Sequence, residues 1–401
     1  MRGWMIHGAA AALVLALALW GPELAVGQRA EPAVHDVPIE RTHALRHFYA
    51  GLKKLERGAD RKVRVLHYGD SNVAADLWTS VARSALQRRF GDGGPGYVVP
   101  GFGSRSDPSL GERKSSGWQA RRKGFARDFG PLDGRWGLAG VAAEAGAGGW
   151  VQLKMPPMPQ GGVLEVHALG QPRGGRLEVR IDGGEPTTIA TKTSQHDLIR
   201  RRFHLAPGGH TARVRVGGPR PVRLLGVAVE LDGPGVVYDV LGINGHRASA
   251  ILDWDEDLLR AQLEHRRPDL VVLGYGGNEA LDPQLDLEIY ERKLEQVVGR
   301  MQRLVGNADL LLVAPLPMCP ARPRVAKVAA VQRRIARRAA IGFWDSSRLS
   351  GPDASLCSWR HRRPPLISGD GMHLSKKGYG IVGEQFTEAL LRPMAGRLAR
   401  R

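Results

Sequence analysis

Ser71 stands in a Gly69-Asp70-Ser71 turn, directly after the apolar run Val63–Tyr68. An alcohol is a poor nucleophile until a base takes its proton, and an imidazole titrates near neutrality. His373 is the candidate base. Asp370, one helical turn or less before it, is placed to fix the ring in one tautomer and to stabilise the imidazolium. A tetrahedral intermediate then needs hydrogen-bond donors for its oxyanion. The Ser71 N–H, the Gly245 N–H and the Asn278 side-chain amide are the candidate donors, and losing one such donor typically costs about 10²–10³ in turnover. Gly245 would let the backbone approach a substrate without a Cβ in the way. Each segment also has a plain structural explanation. A Ser before a helix caps it, Gly242-Ile243-Asn244-Gly245 is an ordinary turn, Asn278 suits an Asx turn, and Asp370-x-x-His373 can cap the helix it precedes. Asp70 reads as a brace for its turn, with no catalytic role assigned.

What weighs against four unrelated explanations is the rhythm of the elements. Leu45, Phe48, Leu52 and Leu55 recur at helical spacing up to Gly58. Val63–Tyr68 reads as a strand and Ala74–Phe90 as a helix. The glycine-rich Gly91–Gly96 follows a helix and lacks the Lys-Ser/Thr of a phosphate loop, so it reads as a turn. From about residue 102 short alternating runs replace helical periodicity. Leu177, Val179 and Ile181 oppose Glu178, Arg180 and Asp182, and Ala212, Val214 and Val216 oppose Arg213 and Arg215. Such strands, continuing to Val222–Leu231, predict an antiparallel β-sandwich inserted at 102–235. The α/β rhythm then resumes. Strands are predicted at Val236–Leu241, Leu270–Tyr275, Leu310–Pro315 and Ile341–Asp345, and helices at Leu258–Leu263, Ile289–Leu304, Val325–Ala340 and Ser375–Leu391. The α/β part is therefore split, 37–101 and 236–401, and predicts a parallel sheet covered on both faces. In such sheets ligands bind beyond the carboxyl ends of the strands. Ser71, Gly245, Asn278 and the Asp370/His373 loop all fall at that edge, in chain order.

Composition bounds the setting. The 401 residues are 42% hydrophobic and 24% charged, enough for packed cores and too balanced for wholesale disorder. Lys and Arg total 58 against 40 Asp and Glu, a net +18. That surplus favours an anionic partner or reflects a basic surface spread over the whole protein. Arg2, the apolar run Ala9–Trp20 and the small-residue site Ala25-Val26-Gly27 predict a secretory signal peptide at 1–27, followed by a linker at 28–36. An uncleaved N-terminal anchor is the alternative, and would be the chain's sole membrane contact. Export makes nucleic acid an improbable partner and places the protein in the periplasm or outside the cell. Cys319 and Cys357 either pair in an oxidising compartment or remain buried thiols.

With these segments in view, the chain resembles the SGNH (GDSL-type) hydrolases, whose four blocks centre on Ser, Gly, Asn and His. Gly69-Asp70-Ser71 matches the first block and Gly245 the second. Gly276-Gly277-Asn278 matches the third and Asp370-Gly371-Met372-His373 the fourth. Asn72 replaces the Leu of the family name, Glu279 stands where Asp commonly follows the block Asn, and His246 directly follows the block Gly. The resemblance implies a flavodoxin-like three-layer fold and a cofactor-free serine carboxylic-ester hydrolase. It is greatest to peptidoglycan O-acetylesterases, which carry a β-sandwich between the first and second blocks. That implies acetyl removal, or transfer, on an exported anionic glycan, with the insert either binding carbohydrate or shaping one wall of the cleft. A lipolytic or thioester acylhydrolase would use the same triad, and a non-catalytic glycan-binding protein is the reading outside enzymes. Trp359, Arg360 and Arg362 lie shortly before Asp370 and are candidate contacts to an anionic glycan. Arg200-Arg201-Arg202 reads as a basic patch on the sandwich. His67, His246, Asp370 and His373 match no compact metal spacing, so no metal site is expected.

Overall fold

A computed structural model describes residues 34–101, 109–123, 132–316, 318, 321–351 and 356–395. The expected signal peptide at 1–27 lies outside them. Among the described residues, no helix is long and apolar enough to cross a membrane.

Five strands form a parallel sheet in the spatial order Gly235–Gly242, Lys62–Gly69, Leu270–Gly274, Asp309–Val313 and Gly342–Trp344. Numbered along the chain, this is the 2-1-3-4-5 order of flavodoxin-like folds. Its topological switch point lies between Lys62–Gly69 and Leu270–Gly274, where ligands bind in such sheets. The strands are apolar on both faces because helices cover both. Helices Arg46–Glu56, Thr79–Phe90 and Lys376–Ala395 pack through Phe48, Leu52, Ala82, Leu86, Val382 and Phe386 onto Val63, Val65, Val272 and Val313. Helices Glu256–Arg266, Leu287–Leu304 and Arg322–Arg338 cover the other face against Leu66, Val271, Leu273 and Leu312. Helix, sheet, helix: these are the three layers expected.

The predicted helix over Ala74–Phe90 is instead two, Ser71–Ala74 and Thr79–Phe90. Asp76 breaks it with a left-handed φ of 50°. The strained turn is held because the Asp76 carboxylate accepts from Thr79 Oγ1 at 2.7 Å and from both Arg83 Nη atoms at 3.0 and 2.9 Å. The break tips Trp78 into the core beneath the Ser71 turn. There it meets His67 edge-on at 4.8 Å and Phe386 at 5.2 Å. Aromatic pairs of this kind add roughly 0.5–1.5 kcal/mol each beyond area burial.

Two antiparallel sheets make up the inserted sandwich. One runs in the order Asp197–Leu205, Gly162–Gly170, Val222–Leu231, Ala142–Ala145, Gln119–Arg121. The other runs Gly111–Lys114, Trp150–Lys154, Thr211–Val216, Arg176–Ile181, Thr187–Ala190. The alternation read from sequence is visible in it, with Leu177, Val179, Ala212, Val214 and Val216 buried. The sandwich sheet begins earlier than residue 102, because Gly96–Val98 pairs with Val222–Leu231. The insert is also no separate bead on the chain. Pro32–Arg401 forms one compact unit. A single apolar cluster runs from Leu164, Val166 and Val229 of the sandwich to Leu259 and Leu263 of the α/β half.

A polar joint lies beside that shared core. Glu165 accepts from Arg202 at 3.1 Å and Arg200 at 3.3 Å, and meets His265 of helix Glu256–Arg266 at 2.5 Å. Arg200 and Arg202 thus serve as carboxylate partners within the fold. Glu165, His167 and His265 bring three possible metal ligands within 4.8 Å. The surrounding bonds favour hydrogen bonding over coordination. Gln262 takes the Leu138 N–H on its Oε1, which turns Nε2 toward His167 Nδ1 at 3.3 Å. His167 therefore keeps its proton on Nε2, facing Glu165, where a metal would need a lone pair.

Candidate active site

Ser71 opens the short helix after the first strand, at the switch point. Gly69 lies in register with Gly242 on one side and Gly274 on the other. A Cβ at Gly69 would collide with Val73 and with the Gly274 carbonyl. The helix can therefore fold back onto the strand ends only because the position is glycine. Asp70 caps that helix, accepting from Asn72 N at 2.9 Å and Asn72 Nδ2 at 3.1 Å. Asn72 also accepts from Tyr379 OH at 2.7 Å, and its carbonyl accepts from Trp78 Nε1 at 3.0 Å. A leucine at 72 would offer none of the side-chain bonds; the amide ties the nucleophile turn to the last helix. Burial raises the Asp70 pKa, against the bonds from Asn72 and the nearby His373.

His373 reaches Ser71 across 302 positions of sequence, with Nε2 2.9 Å from the Ser71 Oγ. Its Nδ1 lies 2.6 Å from Asp370 Oδ2. A carboxylate only accepts, so Nδ1 carries the proton and Nε2 presents a lone pair to the hydroxyl. Asp370 Oδ1 accepts from the backbone N–H of Met372 and of His373, both at 2.9 Å, and from Ser368 Oγ at 2.8 Å. Burial alone would raise its pKa. These bonds and the His373 side chain overcome that and hold the carboxyl well below the usual range. Ser368 was invisible to sequence reasoning, since a Ser two residues before an Asp carries no signal by itself.

Gly245 has φ 76°, a left-handed turn that a glycine adopts without strain. Asn278 stands on the helix Gly277–Leu281, and its Nδ2 donates to the His246 carbonyl at 2.9 Å. Glu279, 3% exposed, accepts the Ala248 N–H at 2.9 Å. The loops of Gly245 and Asn278 are thus cross-linked twice. Ser71, Gly245, Asn278 and His373 line one cavity of about 1170 Å³, together with Ala120 and Arg122 of the insert.

The remaining sequence candidates lie elsewhere. Trp359 is a correction: it is fully buried, packed with Trp344 and Leu366 in the core, and cannot contact a substrate. Arg360 donates to the Gly369 carbonyl at 3.0 Å, bracing the loop before Asp370. Neither it nor Arg362 lines the cavity among the described residues. These assignments rested on chain proximity to Asp370, whereas the segment Leu356–His361 is folded inward by its own aromatic. His67 is a core histidine whose Nδ1 meets Tyr238 OH at 2.7 Å, and burial pushes its pKa down to about 3. His246 is likewise buried, with its pKa lowered to about 4 by burial, against the bond to the Lys123 carbonyl. Cys357 is disulfide-bonded, and the chain's other cysteine, Cys319, lies outside the described residues.

The sequence model of the GDSL-like Lipase/Acylhydrolase family matches residues 207–381. Among curated proteins none matches. Among solved structures, one described as "Peptidoglycan O-acetylesterase in action" superposes with a TM-score of 0.74 at 23% identity, over 87% of this chain and 96% of that one. An acetylxylan esterase, Axe2, from Geobacillus stearothermophilus aligns over 39% of this chain and 73% of its own, at 21% identity and a TM-score of 0.31. Over residues 207–381 the chain is similar to the GDSL-like Lipase/Acylhydrolase family, and its Ser71–His373–Asp370 line has the geometry of a serine-hydrolase triad. Its fold is that of the peptidoglycan O-acetylesterase structure, interrupting sandwich included.

Proposed function

We propose that this protein removes O-acetyl groups from a cell-envelope polysaccharide such as peptidoglycan. The observation that carries the reading is the line Ser71 Oγ, His373 Nε2, His373 Nδ1, Asp370 Oδ2, with steps of 2.9 and 2.6 Å, set in one cavity with Gly245 and Asn278. His373 takes the Ser71 proton as Oγ attacks the acetyl carbonyl carbon. The oxyanion is received by the N–H groups of Ser71 and Gly245 and by Asn278. Its collapse breaks the bond to the sugar oxygen, which takes the proton from His373 and leaves as the free hydroxyl. Water, deprotonated by His373, then hydrolyses the acetyl-Ser71 ester and releases acetate. The triad is open to solvent, with Asp370 and His373 each about two-fifths exposed, as an enzyme reaching side groups on a polymer requires.

The glycan assignment is supported by the shared architecture and by the sandwich wall of the cavity. Export is supported by the N-terminal sequence pattern and by the disulfide at Cys357, since such bonds persist in oxidising compartments. The test is acetate release from O-acetylated peptidoglycan by wild type and Ser71→Ala, beside short-chain and long-chain aryl esters. Ser71-dependent release with short-chain preference is expected, with a loss of at least about 10⁴-fold in the variant. Long-chain preference would make the enzyme lipolytic. Activity only with an added sugar acceptor would make it an acetyltransferase, and inactivity throughout would leave a glycan-binding protein.

A further inference from the structure

The sandwich sheet that runs Gly111–Lys114, Trp150–Lys154, Thr211–Val216, Arg176–Ile181, Thr187–Ala190 turns Val151, Leu153, Val179 and Val214 into the core. Successive side chains of a strand face opposite ways, so the residues between these make up the sheet's other face. The register sets Arg113 beside Gln152, Gln152 beside Arg213, and Arg213 beside Arg180, a row across four strands. Neighbouring strands lie about 4.8 Å apart, which spaces the three arginine positions by roughly 10 and 5 Å. All three side chains are exposed. Like charges directly opposite each other destabilise a sheet, and Arg213 and Arg180 are such a pair. The carboxylates on this face are engaged by other groups. Glu178 accepts from Arg215 at 2.9 Å, and Asp182 meets His210 at 2.6 Å. Arg213 lies over the Trp150 ring at 4.2 Å, and Arg180 donates to the Gly183 carbonyl at 3.3 Å. Neither contact supplies a negative charge, and among the described residues Arg113, Arg180 and Arg213 have no carboxylate partner. Arg200 and Arg202 on the other sheet, by contrast, are neutralised by Glu165.

We propose that this face docks a carboxylate-bearing glycan strand and holds the polymer to the enzyme. The inference deepens the polysaccharide reading above, on which it rests, by naming the surface that engages the chain. A line of cations left without counter-charges, at a cost to the sheet, matches negative charges repeated along a polymer. What the face lacks selects among polyanions. A membrane surface takes inserted apolar side chains, and among the described residues the exposed large hydrophobics are Leu132 and Ile289, neither on these strands. Single-stranded nucleic acid needs open aromatic faces for its bases, whereas Trp150, the sole aromatic of the five strands, is covered by Arg213. A sugar chain needs neither. Its carboxylates meet the arginines, and its hydroxyls meet the Gln152 amide in the same row. One sheet of the insert thus lines the catalytic cavity through Ala120, and the other carries the docking face.

The experiment measures binding of the full-length protein to unacetylated polygalacturonate, with neutral xylan and duplex DNA as comparators. Wild type is set beside two triple variants, Arg113→Gln/Arg180→Gln/Arg213→Gln and the same three positions changed to Lys. Affinity for polygalacturonate is expected to fall about tenfold in the Gln variant and to be largely kept in the Lys variant. Added salt should weaken wild-type binding more than that of the Gln variant. On O-acetylated polygalacturonate the Gln variant should show a KM raised by a similar factor with kcat unchanged. Its kcat/KM on a small aryl acetate should match wild type, because none of the three arginines lines the catalytic cavity. That activity also reports an intact fold, and removing the opposed Arg213–Arg180 pair should leave the melting temperature no lower. Polygalacturonate affinity unchanged in the Gln variant overturns the inference and leaves the deacetylase reading standing. Equal wild-type affinity for xylan or for duplex DNA overturns the assignment to an anionic glycan. A wild type that binds polygalacturonate through these arginines but releases acetate from no polymer overturns the deacetylase reading alone.

Discussion

Glu279 is a carboxyl group placed where a charge is costly. It is 3% exposed, its Oε1 accepts the Ala248 N–H at 2.9 Å, and its Oε2 has no hydrogen-bond partner among the described residues. Burial pushes its pKa up from 4.5 to about 7, outweighing the bonds from the Ala248 and Glu279 N–H groups. A carboxyl raised in the folded state favours folding most below its unfolded pKa and loses that contribution as pH rises to the folded value. The native state holds the proton between roughly pH 4.5 and 7 while the unfolded chain has released it. Glu279→Gln keeps an acceptor for Ala248 and removes the titration. From the two pKa values, the ionisation cost at Glu279 is about 1 kcal/mol at pH 5 and about 3 kcal/mol at pH 8.5. The stability difference between variant and wild type should therefore widen by about 2 kcal/mol across that range, in favour of the variant. Urea unfolding at several pH values measures it, and titrating groups distant from Glu279 cancel in the difference. Parallel curves for the two proteins would refute the argument, because they would mean that Glu279 titrates alike in both states.

Other substitutions separate the parts of the site. Asp370→Asn removes the acceptor that sets the His373 tautomer and should lower kcat on the order of 10⁴-fold in an aryl-acetate assay, with only a small fall in melting temperature because the site is solvent-exposed. His246→Ala releases the Lys123 carbonyl and loosens the support behind Asn278, so kcat should fall about tenfold, less than for loss of a whole oxyanion donor. The same substitution should flatten the acid limb of stability. The His246 pKa is lowered to about 4, so its contribution is present above about pH 6.5 and lost toward pH 4, a window read by thermal melts of the two proteins.

The parallel sheet, the sandwich and the four site segments were legible because each depends on local pattern. Apolar strands such as Leu270–Gly274 announce burial on both faces, Leu177–Ile181 announces a one-sided sheet, and residues at strand ends inherit their place from the sheet. Tertiary partners were not legible. Asp76 broke a helix whose apolar spacing continues across the break, and the cause is a buried carboxylate–guanidinium pair with Arg83 that periodicity does not register. Trp359 was misplaced because nearness in sequence to Asp370 says nothing about which way a side chain turns, and a large apolar ring finds the core.

Arg122 shows the limit in its sharpest form. Its neighbours Arg121 and Lys123 are equally basic, and nothing in composition separates them. Their fates diverge because strand alternation sends Arg121 to Glu144, an ion pair draws Lys123 to Asp253, and the cavity wall takes Arg122. That sorting requires the sandwich edge to be docked against the Gly245 loop, a contact made by His246. The residue after the block glycine, which the triad does not need, thus acquires a reason from the insert. A sandwich that merely tethered the enzyme to a polymer would not need to touch the oxyanion loop. One that completes the pocket must be held there to within the tolerance of the chemistry, and a short hydrogen bond from a buried imidazole to a strand-end carbonyl supplies that registration.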